Sequence, residues 1–297
     1  MKRPGLVLSI LFMGAFMANA QSFYAARKER SLLLVAGTGT STYLGDMADD
    51  GDYFDARPNL VVGAQYYLNN RFSVRSEFTW FNLKGSDAAS KDPQDGRIQR
   101  NLSFTSNNFE LNATGVVSLL PQGRRFYQRP GFNLYAFGGI GVMYYNPKAE
   151  YQGQKYALRP LKTELNDYSS FGLVIPYGLG MRFKIHPLAN ISIEGGYRKT
   201  FTDYLDDVST VHVAQSSFSD PIAQALTDRR PEIGLSIREP GYIRGNPAND
   251  DSYFLFNVKL EYYLPVQFLG ANNQKKLYRS KRKAYYRYNK RGGLRRR

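Results

Sequence analysis

The chain has no cysteine, a single tryptophan and only two histidines, and beyond its first twenty residues it has no apolar run approaching the length of a membrane-spanning helix. The missing cysteine excludes thiol catalysis, disulfide staples and Cys-ligated metal sites. The missing helical span argues against an inner-membrane protein. Positive charge is concentrated in one region. The 23 residues from Lys275 onward hold 12 of the 40 Lys and Arg and no Asp or Glu, which leaves 28 cations against 25 acids in the rest. The formal charge of +15 therefore belongs to the C-terminal tail, and the body is close to neutral.

What is present points to the cell envelope. Lys2 and Arg3 precede an apolar run from Leu6 to Met17 that ends in Ala18-Asn19-Ala20. This reads as a secretory signal peptide over residues 1–20, with Gln21 as the first mature residue. No cysteine stands at the cut, so a lipoprotein is excluded. Tyr (23), Phe (19) and Gly (27) are abundant, a composition suited to lipid-facing strands with interfacial aromatics.

Alternation of apolar and polar residues then recurs along the chain, as expected for strands with one greasy face. The clearest case is 71–83, with Phe72, Val74, Phe78 and Trp80 on one side and Ser73, Arg75, Glu77 and Thr79 on the other. Strands are expected at 31–44, 58–68, 71–83, 107–119, 133–145, 171–185, from Ile191 onward, and 252–264. The fold predicted is all-β, a closed eight-stranded antiparallel transmembrane β-barrel spanning residues 21–264. Connections after strands two, four and six are short, whereas those after one, three, five and seven are long or polar, as in outer-membrane barrels with periplasmic turns and external loops. An even strand number puts both ends of the barrel on the periplasmic side. Residues 265–297 then form a basic, Tyr-rich periplasmic tail.

The inward positions carry Arg75, Arg182, Lys184, Arg198 and Lys259 against Glu77, Glu110, Glu194 and Glu261. Eight strands leave an interior only wide enough for side chains, and unpaired charge there is costly. A salt-bridged plug, not a pore, is expected.

Candidate chemistry is sparse. His186 falls in a short turn and His212 in the long connection 205–251, and a Ser-His-Asp set could be drawn around His212 from Ser209 or Ser216 with Asp206 or Asp207. Nothing in the spacing supports it, and no catalytic residue is assigned. Asp46, Asp49, Asp50, Asp52 and Asp55 suggest a hard cation, but their spacing departs from the EF-hand pattern and no Glu closes the site; a solvated loop is favoured, and no metal or cofactor is assigned. Asp203, Asp206 and Asp207 are expected to pair with Arg198, Lys199 or loop cations and so to stabilise the outer rim. In the tail, Lys275, Lys276, Arg279, Lys281, Arg282, Lys283, Arg287, Lys290 and Arg291 interleave with Tyr278, Tyr285, Tyr286 and Tyr288. A periplasmic address excludes nucleic acid in practice. Anionic phospholipid and an acidic periplasmic protein remain as partners, with the protein favoured.

Five segments carry a resemblance. Tyr43-Leu44-Gly45-Asp46, RNLSFTSN (100–107), YAFGGIGVMYYNPKAEY (135–151), PLKTE (160–164) and GYRKTFTDYLDDVST (196–210) are similar to the PorG-like family of outer-membrane barrels. The resemblance implies a component of the type IX secretion system, which supports protein secretion and, in some bacteria, gliding motility. It further implies a structural role that tethers a periplasmic ring of the lipoprotein PorK and its partner PorN, with no catalytic residues. An outer-membrane barrel outside secretion, binding through its external loops, is the alternative reading, followed by an outer-membrane enzyme.

Overall fold

A computed structural model describes residues 30–48, 56–91, 96–123 and 126–265. The predicted signal peptide, the tail and most of the acidic loop lie outside the described residues.

Ten strands form the sheet: β1 (Leu32–Leu44), β2 (Arg57–Tyr67), β3 (Phe72–Ser86), β4 (Ser103–Ser118), β5 (Phe132–Tyr144), β6 (Pro147–Tyr151), β7 (Gln154–Ala157), β8 (Phe171–His186), β9 (Ala189–Thr200) and β10 (Ser252–Leu264). Eight of them close a barrel in the order β3-β2-β1-β10-β9-β8-β5-β4, with β4 returning to β3. Every pairing in the ring is antiparallel. Leu32 pairs with Leu264, so the first and last strands start and finish at the same end. The short turns 68–71 and 187–188 also lie at that end. No helix among the described residues is long and apolar enough to cross a membrane.

The period-two pattern explains the closure. Leu60, Val62, Phe72, Val74, Phe78, Leu111, Leu173, Leu179, Val258 and Leu260 are exposed on the outside of the barrel, whereas their neighbours Arg75, Glu77, Glu110, Asn112 and Lys259 are buried within it. In water such a surface would aggregate; in lipid it is the solvated face. Closure removes the sheet edges, so every barrel strand finds hydrogen-bond partners on both sides. Room for large side chains inside comes partly from glycine. A Cβ at Gly178 or Gly196 would come 2.9 or 2.7 Å from the ring of Phe137, which crosses the lumen.

The segments between the strands differ from expectation in two places. Residues 84–106, read as a polar connection, are partly strand: β3 and β4 continue pairing out to Ser86 and Ser103. Leu83, Leu102 and Phe104 supply the buried face that holds this extension. Residues 146–170, read as a long polar connection, contain the hairpin β6–β7, which turns through Gln152 and Gly153 at positive φ. Thr105 pairs with Lys148, which ties the hairpin to β4.

Candidate functional site

Two constructions fill the barrel, one in the lumen and one over its long-loop end. In the lumen Glu194 of β9 accepts from Arg75 of β3, from Lys259 of β10, and from the Tyr135 hydroxyl at 2.7 Å. Lys259 also reaches Glu77 at 2.6 Å, and Arg75 lies 3.5 Å from the same carboxylate. Nearer the short turns, Arg182 donates to Glu261 at 2.6 and 2.9 Å and to the Tyr67 hydroxyl at 2.9 Å. Nearer the loops, Arg198 lies 3.7 Å from Glu110, which also accepts from Tyr253 at 2.6 Å and Asn112 at 2.6 Å. Arg75 and Arg182 stack over the rings of Phe137 and Tyr135 at 4.9 and 4.5 Å. Three of these contacts cross the barrel between opposite strands, Arg75 to Glu194, Arg182 to Tyr67 and Tyr253 to Glu110. Buried charge of this kind persists only when paired and hydrogen-bonded, and Lys184, the remaining expected cation, donates to the Tyr127 carbonyl at 2.6 Å.

The short-turn end is closed by a residue that sequence reasoning passed over. The connection between β4 and β5, read as a compact turn, carries Phe126 into a cluster with Leu33, Tyr67 and Tyr263. Arg129 fixes it. Its guanidinium donates to Asn190 Oδ1 at 2.7 Å and to the carbonyls of Phe126, His186, Pro187 and Ala189 at 2.8–3.0 Å, and it lies 4.7 Å over the Tyr263 ring. One arginine among the three in this connection, Arg124, Arg125 and Arg129, gives no local signal for this.

At the opposite end the long connection between β9 and β10 folds back over the mouth. An apolar layer of Tyr43, Phe81, Phe104, Leu205, Val208 and Leu226 lies beneath it, with the helix Pro221–Thr227 started by Asp220 accepting from the Ile222 N–H at 2.8 Å. Above that layer the loops are knotted by polar groups. Tyr43 makes contacts of 2.7 Å to Asp206 and 2.6 Å to Asp251. One hydroxyl has one proton, so one of the two carboxyls must itself carry a proton to complete both bonds. Burial raises the pKa of Asp206 and of Asp251, and for Asp251 the neighbouring Asp206 raises it further. Asp207, at φ 70°, accepts from Thr163 and from Tyr168, and burial pushes its pKa up to about 6 against the pull of Arg244. Glu164 accepts from the Ser209 and Thr210 N–H groups at 3.0 Å and from Arg244 at 2.7 Å; burial raises its pKa, but Arg244 and the hydrogen bonds from Ser209 and Thr210 together outweigh it and hold it below the usual range. Arg100 grips both oxygens of Asp87 at 2.8 and 2.7 Å and the Asp46 carbonyl at 2.9 Å.

This corrects one expectation. Asp203, Asp206 and Asp207 do not pair with Arg198 or Lys199. In a strand adjacent side chains face opposite ways, so Arg198 points into the lumen while Lys199 is exposed and lies over the Phe201 ring at 5.9 Å. The chain then turns back over the mouth and buries all three acids, Asp206 and Asp207 against hydroxyls and the Val208 N–H, and Asp203 with no hydrogen-bond partner on either carboxylate oxygen among the described residues. Asp203 is 8% exposed, and burial, reinforced by Asp46, Glu164 and Asp250, pushes its pKa up to about 7.

Other expected residues are dispersed. His212 bonds through its backbone to Tyr242 and Gly241, while Asp206 and Asp207 are engaged elsewhere, so the Ser-His-Asp set is not assembled. His186 accepts from the Leu188 N–H at 3.2 Å. Asp46 accepts from the Asn246 N–H at 2.7 Å, and Asp49, Asp50, Asp52 and Asp55 lie outside the described residues, as do the tail cations. Among the described residues, no group of three or more His, Cys, Asp or Glu is placed to hold a metal ion.

The alternating strands, the closed ring and the charged lumen meet one known family. Residues 8–219 match the outer membrane protein beta-barrel domain. The chain belongs to this family. The match ends inside the β9–β10 connection, before β10. Similar solved structures include Ail, the attachment invasion locus protein of Yersinia pestis, in complex with the heparin analogue sucrose octasulfate, at 12% identity, 80% of this chain, 99% of that chain and a TM-score of 0.39. Neisserial surface protein A (8% identity, 78% and 97% coverage, TM-score 0.38) and OprG from Pseudomonas aeruginosa (11%, 81% and 99%, TM-score 0.37) are also similar. Comparison with curated protein sequences returned no match.

Proposed function

We propose that this family barrel is a non-enzymatic, non-conducting anchor or accessory of the type IX protein secretion machinery, holding its periplasmic ring to the outer membrane. The observation that carries the reading is the solid interior: charged side chains bridge the lumen from strand to strand, Arg129 closes one end, and the loop cap closes the other. A barrel built in this way offers fixed surfaces and no aqueous route. The PorG-like resemblance supports the choice of machine. Tyr43, Asp46, Arg100, Thr163, Glu164, Asp206 and Asp207 come from four separate resembling segments, and all are bonded into one cap. Their common role is to fix the cap, which leaves the short-turn end and the basic tail to meet the ring.

In this reading the short-turn end faces the periplasm, and Lys275 to Arg297 docks on ring proteins of the PorK and PorN type. Deleting Lys275 to Arg297 leaves a folded, heat-modifiable barrel and abolishes co-purification with those proteins. Unchanged co-purification removes the tail from the mechanism. A surface-binding role through the long loops is the second reading, and one observation favours it: the cap contains an arginine-lined cleft.

A further inference from the structure

The cleft lies between the β3–β4 connection and the returning β9–β10 loop, has a volume of about 310 Å³, and is walled by Arg97, Arg100, Arg230, Arg238 and Arg244 around His212. Asp46 is the one acid in its described lining. Two of the arginines are already committed: Arg100 to Asp87, and Arg244 to Glu164. They hold the walls.

Arg230 and Arg238 are different. Neither has a carboxylate within ion-pair distance among the described residues. Arg230 is only 8% exposed; its Nε donates to the Ser236 carbonyl at 2.9 Å, but its Nη1 is buried with no hydrogen-bond partner. Arg238 lies 5.3 Å over the Tyr242 ring. Asp228 is close to both, yet its oxygens are taken by their backbone N–H groups at 3.0 and 2.7 Å. A buried donor left without a partner is costly and rare in native structures, and a guanidinium fork fits the oxygens of a phosphate.

We propose that this cleft binds a phosphate-bearing small molecule, with Arg230 and Arg238 as its donors and the Arg100–Asp87 and Arg244–Glu164 pairs as its frame. Two guanidinium groups without carboxylates call for a dianion, which favours a phosphate monoester over a single carboxylate. The volume exceeds that of a bare phosphate and sits at the lower end for small-molecule pockets, so a phosphorylated sugar fits. A soluble sugar phosphate and the phosphosugar headgroup of a glycolipid share that chemistry. His212 reports on the field: burial, together with Arg244, Arg238 and Arg100 and against Asp228, presses its pKa down to about 4, so the ring is neutral at pH 7. The proposal stands apart from the secretion reading.

The test titrates glucose 1-phosphate into the full-length protein in nanodiscs at pH 7 and follows the imidazole resonances of His212 and His186. A saturable shift of His212, none at His186, and none with glucose are expected. Arg230→Gln and Arg238→Gln each weaken binding by roughly tenfold, with heat-modifiable migration confirming that each variant is folded; the more exposed Arg238 keeps the test usable if the Arg230 variant does not fold. Equal affinity for inorganic phosphate assigns the site to the ion itself, and competition by nanodiscs containing lipid A, but not its dephosphorylated form, assigns it to the headgroup. A His212 resonance that no phosphate probe moves, an equal response to glucose, or unchanged affinity in the folded variants overturns the proposal.

Discussion

Glu194→Gln is the sharpest perturbation of the lumen. Glu194 is 1% exposed, and its Oε1 accepts from Arg75 and Tyr135 while its Oε2 accepts from Lys259. With Glu77, this cluster holds two cations and two anions and is neutral as a group. Glutamine fills almost the same volume, so no cavity term enters. Its amide, however, offers one acceptor oxygen and one donor NH2, and either orientation turns that NH2 toward the Lys259 ammonium or the Arg75 guanidinium. Removing one partner of a buried ion pair costs about 3–5 kcal/mol because the other charges remain buried, and a loss in that range is expected here. Urea unfolding of the protein refolded into detergent, read by the fluorescence of Trp80, the only tryptophan, measures it. Adding Lys259→Met restores neutrality, with Arg75 left facing Glu77, and recovers stability; a coupling of at least about 1 kcal/mol is expected between directly bonded residues. A Glu194→Gln loss below about 1 kcal/mol, the value of an exposed pair, or strict additivity in the double variant refutes the cross-lumen network.

Three further outcomes follow from the same geometry. Arg129→Leu strands four backbone carbonyls at the short-turn end, so it should cost about 2–4 kcal/mol in the same unfolding experiment, with faster hydrogen exchange at 126–131. The cap should loosen as pH rises. Asp203 and Asp207, with values of about 7 and 6, bind protons in the closed cap that they release when exposed at ordinary carboxylate values. Their contribution is therefore full below pH 4 and is lost as pH climbs through 6 to 7. For Asp207 the shift corresponds to ~3 kcal/mol. Glu164 works the other way but has finished titrating well below pH 6.5, whereas His212, neutral in the cap and half protonated near pH 6.5 when exposed, offsets part of the loss until about pH 7.5. Between pH 6.5 and 8.5 the protection of the 205–210 amides, with the base-catalysed rise of intrinsic exchange divided out, should fall, and Asp203→Asn should flatten that fall; protection that does not change with pH contradicts the assignment.

The barrel was largely legible because its strands repeat every two residues. In β3 the pair Arg75 and Glu77 could only face inward once Phe72, Val74, Phe78 and Trp80 faced lipid, and the structure places all of them so. The lumen charges followed from the same parity. Loop structure was less legible, for physical reasons. Phe104 and Leu102 pack against a cap assembled from distant segments, so nothing nearby in the chain announces that β3 and β4 continue past the membrane. Arg244, bonded to Glu164 across 80 residues, is fixed by a fold and not by a local pattern. The acids at 203–207 were misread for another reason. Their nearness in sequence to Arg198 and Lys199 suggested pairing, although strand parity alone forbids those two cations from facing the same way.

The central claim is that this family barrel is a filled anchor and not a pore, and electrical recording tests it most directly. Purified full-length protein inserted into planar bilayers should give no stable single-channel openings at either polarity, because Arg75, Lys259, Glu77 and Glu194 block the lumen and both ends are closed. Glu194→Gln should remain non-conducting if it stays folded, since the volume filling the lumen is unchanged. Reproducible openings of uniform conductance from the wild-type protein, freed of contaminating porins, would contradict the account.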